Sequence, residues 1–163
     1  MKAHFLLHIM TNLSDKYFMV KKHAESDGTP LRTHNIYRLQ KIAIRIIGGI
    51  RRGSSSRPFC KKYSILHLPE IYKLTLSIFM FKFHKSLLPA TFDNLFSQNR
   101  NFHSYPTRNS HLLRAPKVKT RLAENFVTKQ GVLIWNEITT KFEVNTSLNI
   151  FKNNLKRYLF SSY

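Results

Sequence analysis

The densest run of apolar side chains lies between Pro69 and Pro89. There Ile71, Leu74, Leu76, Ile78, Phe79, Met80, Phe83 and Leu87 spread around most of a helical wheel. A narrow stripe of Glu70, Lys73, Ser77 and His84 is polar. A helix that is apolar on several sides needs several neighbours, so the pattern predicts a buried central helix over Ile71–Leu88. Pro69 suits the first helical position and Glu70 the positive helix start, while Pro89 cannot continue the helix and sets its far end. Phe79 and Phe83 are the rings expected to be buried in it. Lys73, Lys82 and Lys85 interrupt the run within the ~18 apolar residues a membrane span needs, so no span is expected.

Two further periodic stretches flank this centre. Leu39, Ile42, Ala43, Ile46, Ile47 and Ile50 recur at helical spacing and predict an amphipathic helix near Asn35–Ile47, stopped by Gly48-Gly49. Leu148, Phe151, Leu155, Tyr158 and Leu159 predict a closing helix over Ser147–Leu159, capped by Thr146 or Ser147. A serine of the Gly53–Ser56 loop can cap a short helix through Arg57–Tyr63, in which Cys60 reads as a packing residue. Gly131–Asn136 reads as a turn into a short helix that buries Trp135. Phe126 and Val127 read as a short strand able to pair with Leu112-Leu113. From Ser97 to Arg121 the chain is polar and broken by Pro106 and Pro116. The expected fold class is mainly α: a small helical domain around one long buried helix, with an irregular basic segment and a short β-hairpin. Ser26–Pro30 reads as a turn or linker. Residues 1–34 are then a weakly ordered N-terminal segment and residues 35–160 the domain.

Charge narrows the partner. The 163 residues carry 27 Lys+Arg against 8 Asp+Glu, a formal net charge of +19. Such a chain favours a polyanion, and RNA or DNA held through phosphates is the expected partner. The 42% hydrophobic content argues against a disordered basic tail. Two groups of candidates follow. Arg38, Lys41 and Arg45 line one side of the first helix, with Arg52 continuing their spacing. Arg100, Tyr105, Arg108, Arg114, Lys117, Lys119 and Arg121 punctuate the irregular segment, where cations could track a single strand while bases stack on rings. If 117–121 is extended, Lys117, Lys119 and Arg121 share one face.

Catalysis finds no residues to stand on. Asp15, Glu25, Asp27, Glu70, Asp93, Glu124, Glu137 and Glu143 are scattered, whereas two-metal chemistry needs converging carboxylates. No phosphate-cradling glycine loop, nucleophile elbow or zinc-protease pattern occurs, so no enzyme, cofactor or small-molecule substrate is expected. His4 and His8 have i, i+4 spacing but no nearby third ligand, so they read as a surface pair. Phe5-Leu6-Leu7 is too short for a secretory core, and the single cysteine fits a reducing compartment, nucleus or cytoplasm.

Several short motifs also occur in a telling order. They are Leu39-Gln40-Lys41-Ile42-Ala43-Ile44-Arg45-Ile46-Ile47, then Ile65-Leu66-His67-Leu68 leading into the central helix. His103-Ser104-Tyr105-Pro106-Thr107-Arg108 follows, then Gly131 with Trp135-Asn136, and finally Leu148, Phe151-Lys152 and Leu155-Lys156. This series resembles the region downstream of the polymerase domain in non-LTR (LINE-type, jockey-like) retrotransposon reverse transcriptases. The resemblance spans roughly 35–160 and leaves the earlier residues unmatched. It implies a truncated RNA-directed DNA polymerase frame, without the polymerase's paired aspartates or an endonuclease. What it leaves is a non-catalytic helical accessory region beside template RNA or target DNA. Two other readings stay open: a structural, protein-contacting module, and a transposon remnant without function.

Overall fold

The structure is a computed structural model and describes residues 31–102, 105 and 107–161, without the side chains of 31–33, 121 and 122. The readings of residues 1–30, including the His4–His8 pair, lie outside the described residues. The chain is mainly helical: α1 Leu31–Gly48, α2 Arg57–Lys62, α3 Leu68–His84, α4 Arg121–Glu124, α5 Val127–Thr139 and α6 Leu148–Ser161. Single 3-10 turns occupy Ala90–Phe92 and Asn99–Asn101. Among the described residues the contacts gather into two compact units, one of residues 31–72 with 155–161 and one of residues 73–154, with the first division inside α3.

In the first unit, α1 ends as the glycine pair requires. Gly49 takes φ +62°, its N–H donates to the Ile46 carbonyl at 3.3 Å, and the Ile50 N–H donates to the Arg45 carbonyl at 2.9 Å. These are the two bonds of a Schellman stop. The face of α1 that is buried, however, differs from the expected one. Leu39 is 61% and Ile46 74% exposed, with Ile42 and Ile47 also exposed, while Ile44 and Gln40 are buried. The cause is a polar anchor that apolar periodicity cannot reveal. Gln40 Nε2 donates to the Leu66 carbonyl at 3.1 Å, and its Oε1 accepts the Leu68 N–H at 3.0 Å. This amide turns α1 so that position 40 faces inward, and Leu39, Ile42 and Ile46 are carried outward.

Cys60 is buried, in agreement with a packing role. His67 Nε2 lies 3.4 Å from its Sγ and 3.3 Å from Ser56 Oγ, with the Tyr37 ring edge-on at a centroid distance of 5.7 Å. Burial first, then the Glu70 charge, pushes the Cys60 thiol up to about 11. Burial first, then Lys41 and Arg57, pushes His67 down to about 4. Both groups are therefore neutral at pH 7, and this pair is no thiolate–imidazolium nucleophile. A pH dependence follows. Unfolded His67 takes up a proton near pH 6.5 and folded His67 only near pH 4. Stability is thus full above pH 6.5 and falls as pH drops toward about 4. Urea unfolding at stepped pH should show that slope, and His67→Gln should flatten it.

In the second unit, the α3 residues Leu74, Leu76, Met80 and Phe81 are buried together with Leu113, Val132, Ile134, Trp135, Ile138 and Phe151. Phe81, rather than Phe79 or Phe83, is the fully buried ring, and it stacks on Phe151 at 4.5 Å between centroids. Ser77 leaves the expected polar stripe for the interior, because its hydroxyl donates to the Lys73 carbonyl of its own helix. α3 stops at His84 rather than Leu88. Ser86 adopts φ 52°, the Leu87 N–H donates to the Lys82 carbonyl at 2.8 Å, and Leu87 is left exposed. Gly131 of α5 lies so close to Met80 that an added Cβ would meet Sδ at 2.8 Å.

The expected hairpin partners also change. Val127 begins α5 and Phe126 is its N-cap, while Leu113 forms an isolated antiparallel bridge with Gln98. Around that bridge Arg114 N–H donates to Ser97, Asn99 N–H to Leu112 and Arg100 N–H to Ser110. Leu113's own N–H and C=O are engaged by Asn136, through Oδ1 at 3.1 Å and Nδ2 at 2.8 Å. A strand at 126–127 would find those groups occupied.

Candidate nucleic-acid interface

The candidate cations divide between the units. Arg38, Lys41 and Arg45 lie on α1 in the first. Arg38 is exposed. Lys41 holds its ammonium 3.9 Å from the centre of the Tyr37 ring, a cation–π contact one helical turn long. Arg45 donates from Nε to the Ser54 carbonyl at 2.8 Å, tying the loop after α1 back to the helix.

The second unit holds the others. Arg100 sits in the Asn99–Asn101 turn and Arg114 just past the Gln98–Leu113 bridge. The Arg114 guanidinium lies over the Phe102 ring at 3.8 Å. Tyr105 is exposed, as are Arg108, Lys117 and Lys119. The expected face of Lys117, Lys119 and Arg121 is cut short. Thr120 Oγ1 accepts the Ala123 N–H at 3.2 Å, and Arg121 is the first residue of α4. An extended face could therefore run no further than Lys119. Among the described residues Lys141 pairs with Glu137 at 2.7 Å, whereas Arg38, Arg100, Arg108, Lys117 and Lys119 are held in no ion pair.

Sequence spacing gave no sign of a concavity in the second unit. An open groove of about 760 Å³ is lined by Phe83, Asp93, Arg100, Asn101, His111 and Trp135 among others. Its walls come from residues far apart in the chain, and of the candidate nucleic-acid-binding residues only Arg100 lies on them. The His84 ring, also on its wall, is tilted against Trp135 at 5.4 Å, and burial followed by Lys85 holds its pKa below the ordinary value. Among the described residues no three His, Cys, Asp or Glu side chains gather to hold a metal ion. No described helix is long and apolar enough to cross a membrane.

Several motif residues prove to be architectural. Gln40 and Asn136 bind backbone with their amides, His67 and Trp135 are buried, Gly131 admits Met80, and Phe151 stacks on Phe81. The molecule belongs to the class of mainly helical, strongly basic proteins with an open mixed groove. In comparisons with known proteins, no family model, no curated protein and no solved structure matches the chain.

Proposed function

We propose that the chain is a non-catalytic, nucleic-acid-binding accessory region of the kind that follows the polymerase in non-LTR retrotransposon reverse transcriptases. On this reading it holds RNA or DNA through phosphates, with little sequence preference, in the nucleus or cytoplasm. The observation that carries the reading is the net charge of +19 together with exposed cations outside ion pairs, Arg38 in one unit and Arg100, Arg108, Lys117 and Lys119 in the other. Such cations are already free to displace condensed counterions from a phosphate backbone.

The test is a salt titration of single-strand binding. Each phosphate contact contributes about −0.7 to the slope of log affinity against log salt. Lys117→Ala with Lys119→Ala should therefore reduce the slope by about 1.4. Tyr105→Ala should weaken binding roughly tenfold with little change in slope, because stacking releases few ions. If the double variant keeps the parent's slope and affinity, the segment is a solvated loop and a structural, protein-contacting role takes its place.

A further inference from the structure

We propose that the groove of the second unit seats an unpaired nucleobase, so that the protein prefers single-stranded nucleic acid over a duplex. The inference rests on the phosphate-binding reading above and adds a site to it. Its volume, about 760 Å³, falls in the range of ligand sites and exceeds what one base needs. Its wall combines three kinds of group that a nucleotide requires. Phe83, Phe96 and His84 offer ring faces and edges, with Phe83 and Phe96 braced edge-to-face at 4.8 Å, while the buried Trp135 backs the His84 ring at 5.4 Å. Gln98, Asn101 and Asp93 bring amide and carboxylate groups able to meet a base edge. Arg100 and His111 supply cationic or donor groups for the phosphate.

The groove is also held in shape by backbone rather than by chance contacts. The Arg100 N–H donates to the Ser110 carbonyl at 3.0 Å, which fixes the 98–101 turn against the 110–113 return. Asn136 pins Leu113, also a lining residue, to α5. A base inside a duplex has its edge paired and its faces stacked, so it cannot enter such a groove without leaving the helix. Unstacking costs least in single strands, loops and bulges. Preference for unpaired nucleotides is the direct consequence.

The single tryptophan makes this measurable, because Trp135 lies on the groove wall. The full chain is titrated with a single-stranded oligonucleotide, an abasic strand with the same number of phosphates, and a duplex. Binding is followed by anisotropy of a label on the nucleic acid, and Trp135 emission is recorded alongside. The expected result is roughly tenfold tighter binding of the strand with bases than of the abasic strand. Trp135 emission should be quenched only by the former. Ser97 also lines the groove, and Ser97→Tyr, which fills it, should abolish both the tenfold gap and the quenching while leaving the salt slope in place. The unmodified protein alone decides the matter if that variant fails to fold. Equal affinity for the base-bearing and abasic strands with unchanged Trp135 emission overturns the groove site and leaves phosphate binding standing. Absence of binding to all three nucleic acids overturns both.

Discussion

Replacing Phe81 by alanine is expected to lower the unfolding free energy by about 3–5 kcal/mol. The ring is 1% exposed and lies against Phe151 with an interplanar angle of 25° and centroids 4.5 Å apart. Phe151 is as fully buried, and Trp135 reaches it at 6.2 Å, so the three rings form the aromatic centre of the second unit. Removing Phe81 takes away its transfer free energy, its share of the stack and the packing of both neighbours around a void. Phe79 and Phe83 are half-buried and make edge contacts with Phe96, so their alanine variants should lose roughly half as much. Urea unfolding read by Trp135 fluorescence compares the three variants within one unit. A Phe81→Ala midpoint no lower than that of Phe79→Ala would remove Phe81 from the centre of the core.

The contrast between Phe81 and its neighbours shows where sequence reading ran out. Apolar density between Pro69 and Pro89 was enough to predict a helix and its burial, and α3 follows. Density cannot say which ring points inward when nearly all sides are apolar. On α1 periodicity gave the element and its glycine stop, yet the wrong inward face, because a buried Gln40 outweighs the outward Leu39, Ile42 and Ile46. Phe126 and Val127 looked like strand by side-chain type, while the backbone groups they needed on Leu113 are taken by Asn136. Lys117 and Lys119 were legible as an exposed basic stretch, but the cap formed by Thr120 ends it before Arg121. The groove was not legible at all, since it is made by residues from 83 to 144 that share no local pattern. The motifs behind the resemblance were found as strings and become intelligible only as contacts. They specify how helices and turns are joined, whereas the exposed cations lie largely between them.

Gln40→Leu is the sharpest test of that distinction. The helix α3 opens at Leu68, followed by Pro69, so the Leu68 N–H is one of the donors that a helix start leaves without an intrahelical partner. Gln40 Oε1 supplies the missing acceptor from another helix, and Nε2 of the same amide satisfies the Leu66 carbonyl. Gln40 is 1% exposed and Leu66 and Leu68 are both buried, so water is a poor substitute for either bond. Leucine nearly matches the amide in size and offers neither group. Leaving a buried donor and a buried acceptor unmet costs roughly 1–3 kcal/mol each, a total of about 2–6 kcal/mol. Gln40→Glu should fare no better: it keeps an acceptor for Leu68 but sets a buried carboxylate oxygen against the Leu66 carbonyl. Urea unfolding gives the magnitude, and hydrogen exchange gives the place, since protection of the Leu68 amide should fall in the leucine variant. Under conditions where it remains folded, the salt slope of nucleic-acid binding should stay that of the parent, because Lys41 and Arg38 are untouched. A variant with parental stability and Leu68 protection but a reduced slope would reverse the assignment, making Gln40 part of the binding surface rather than the joint between α1 and α3.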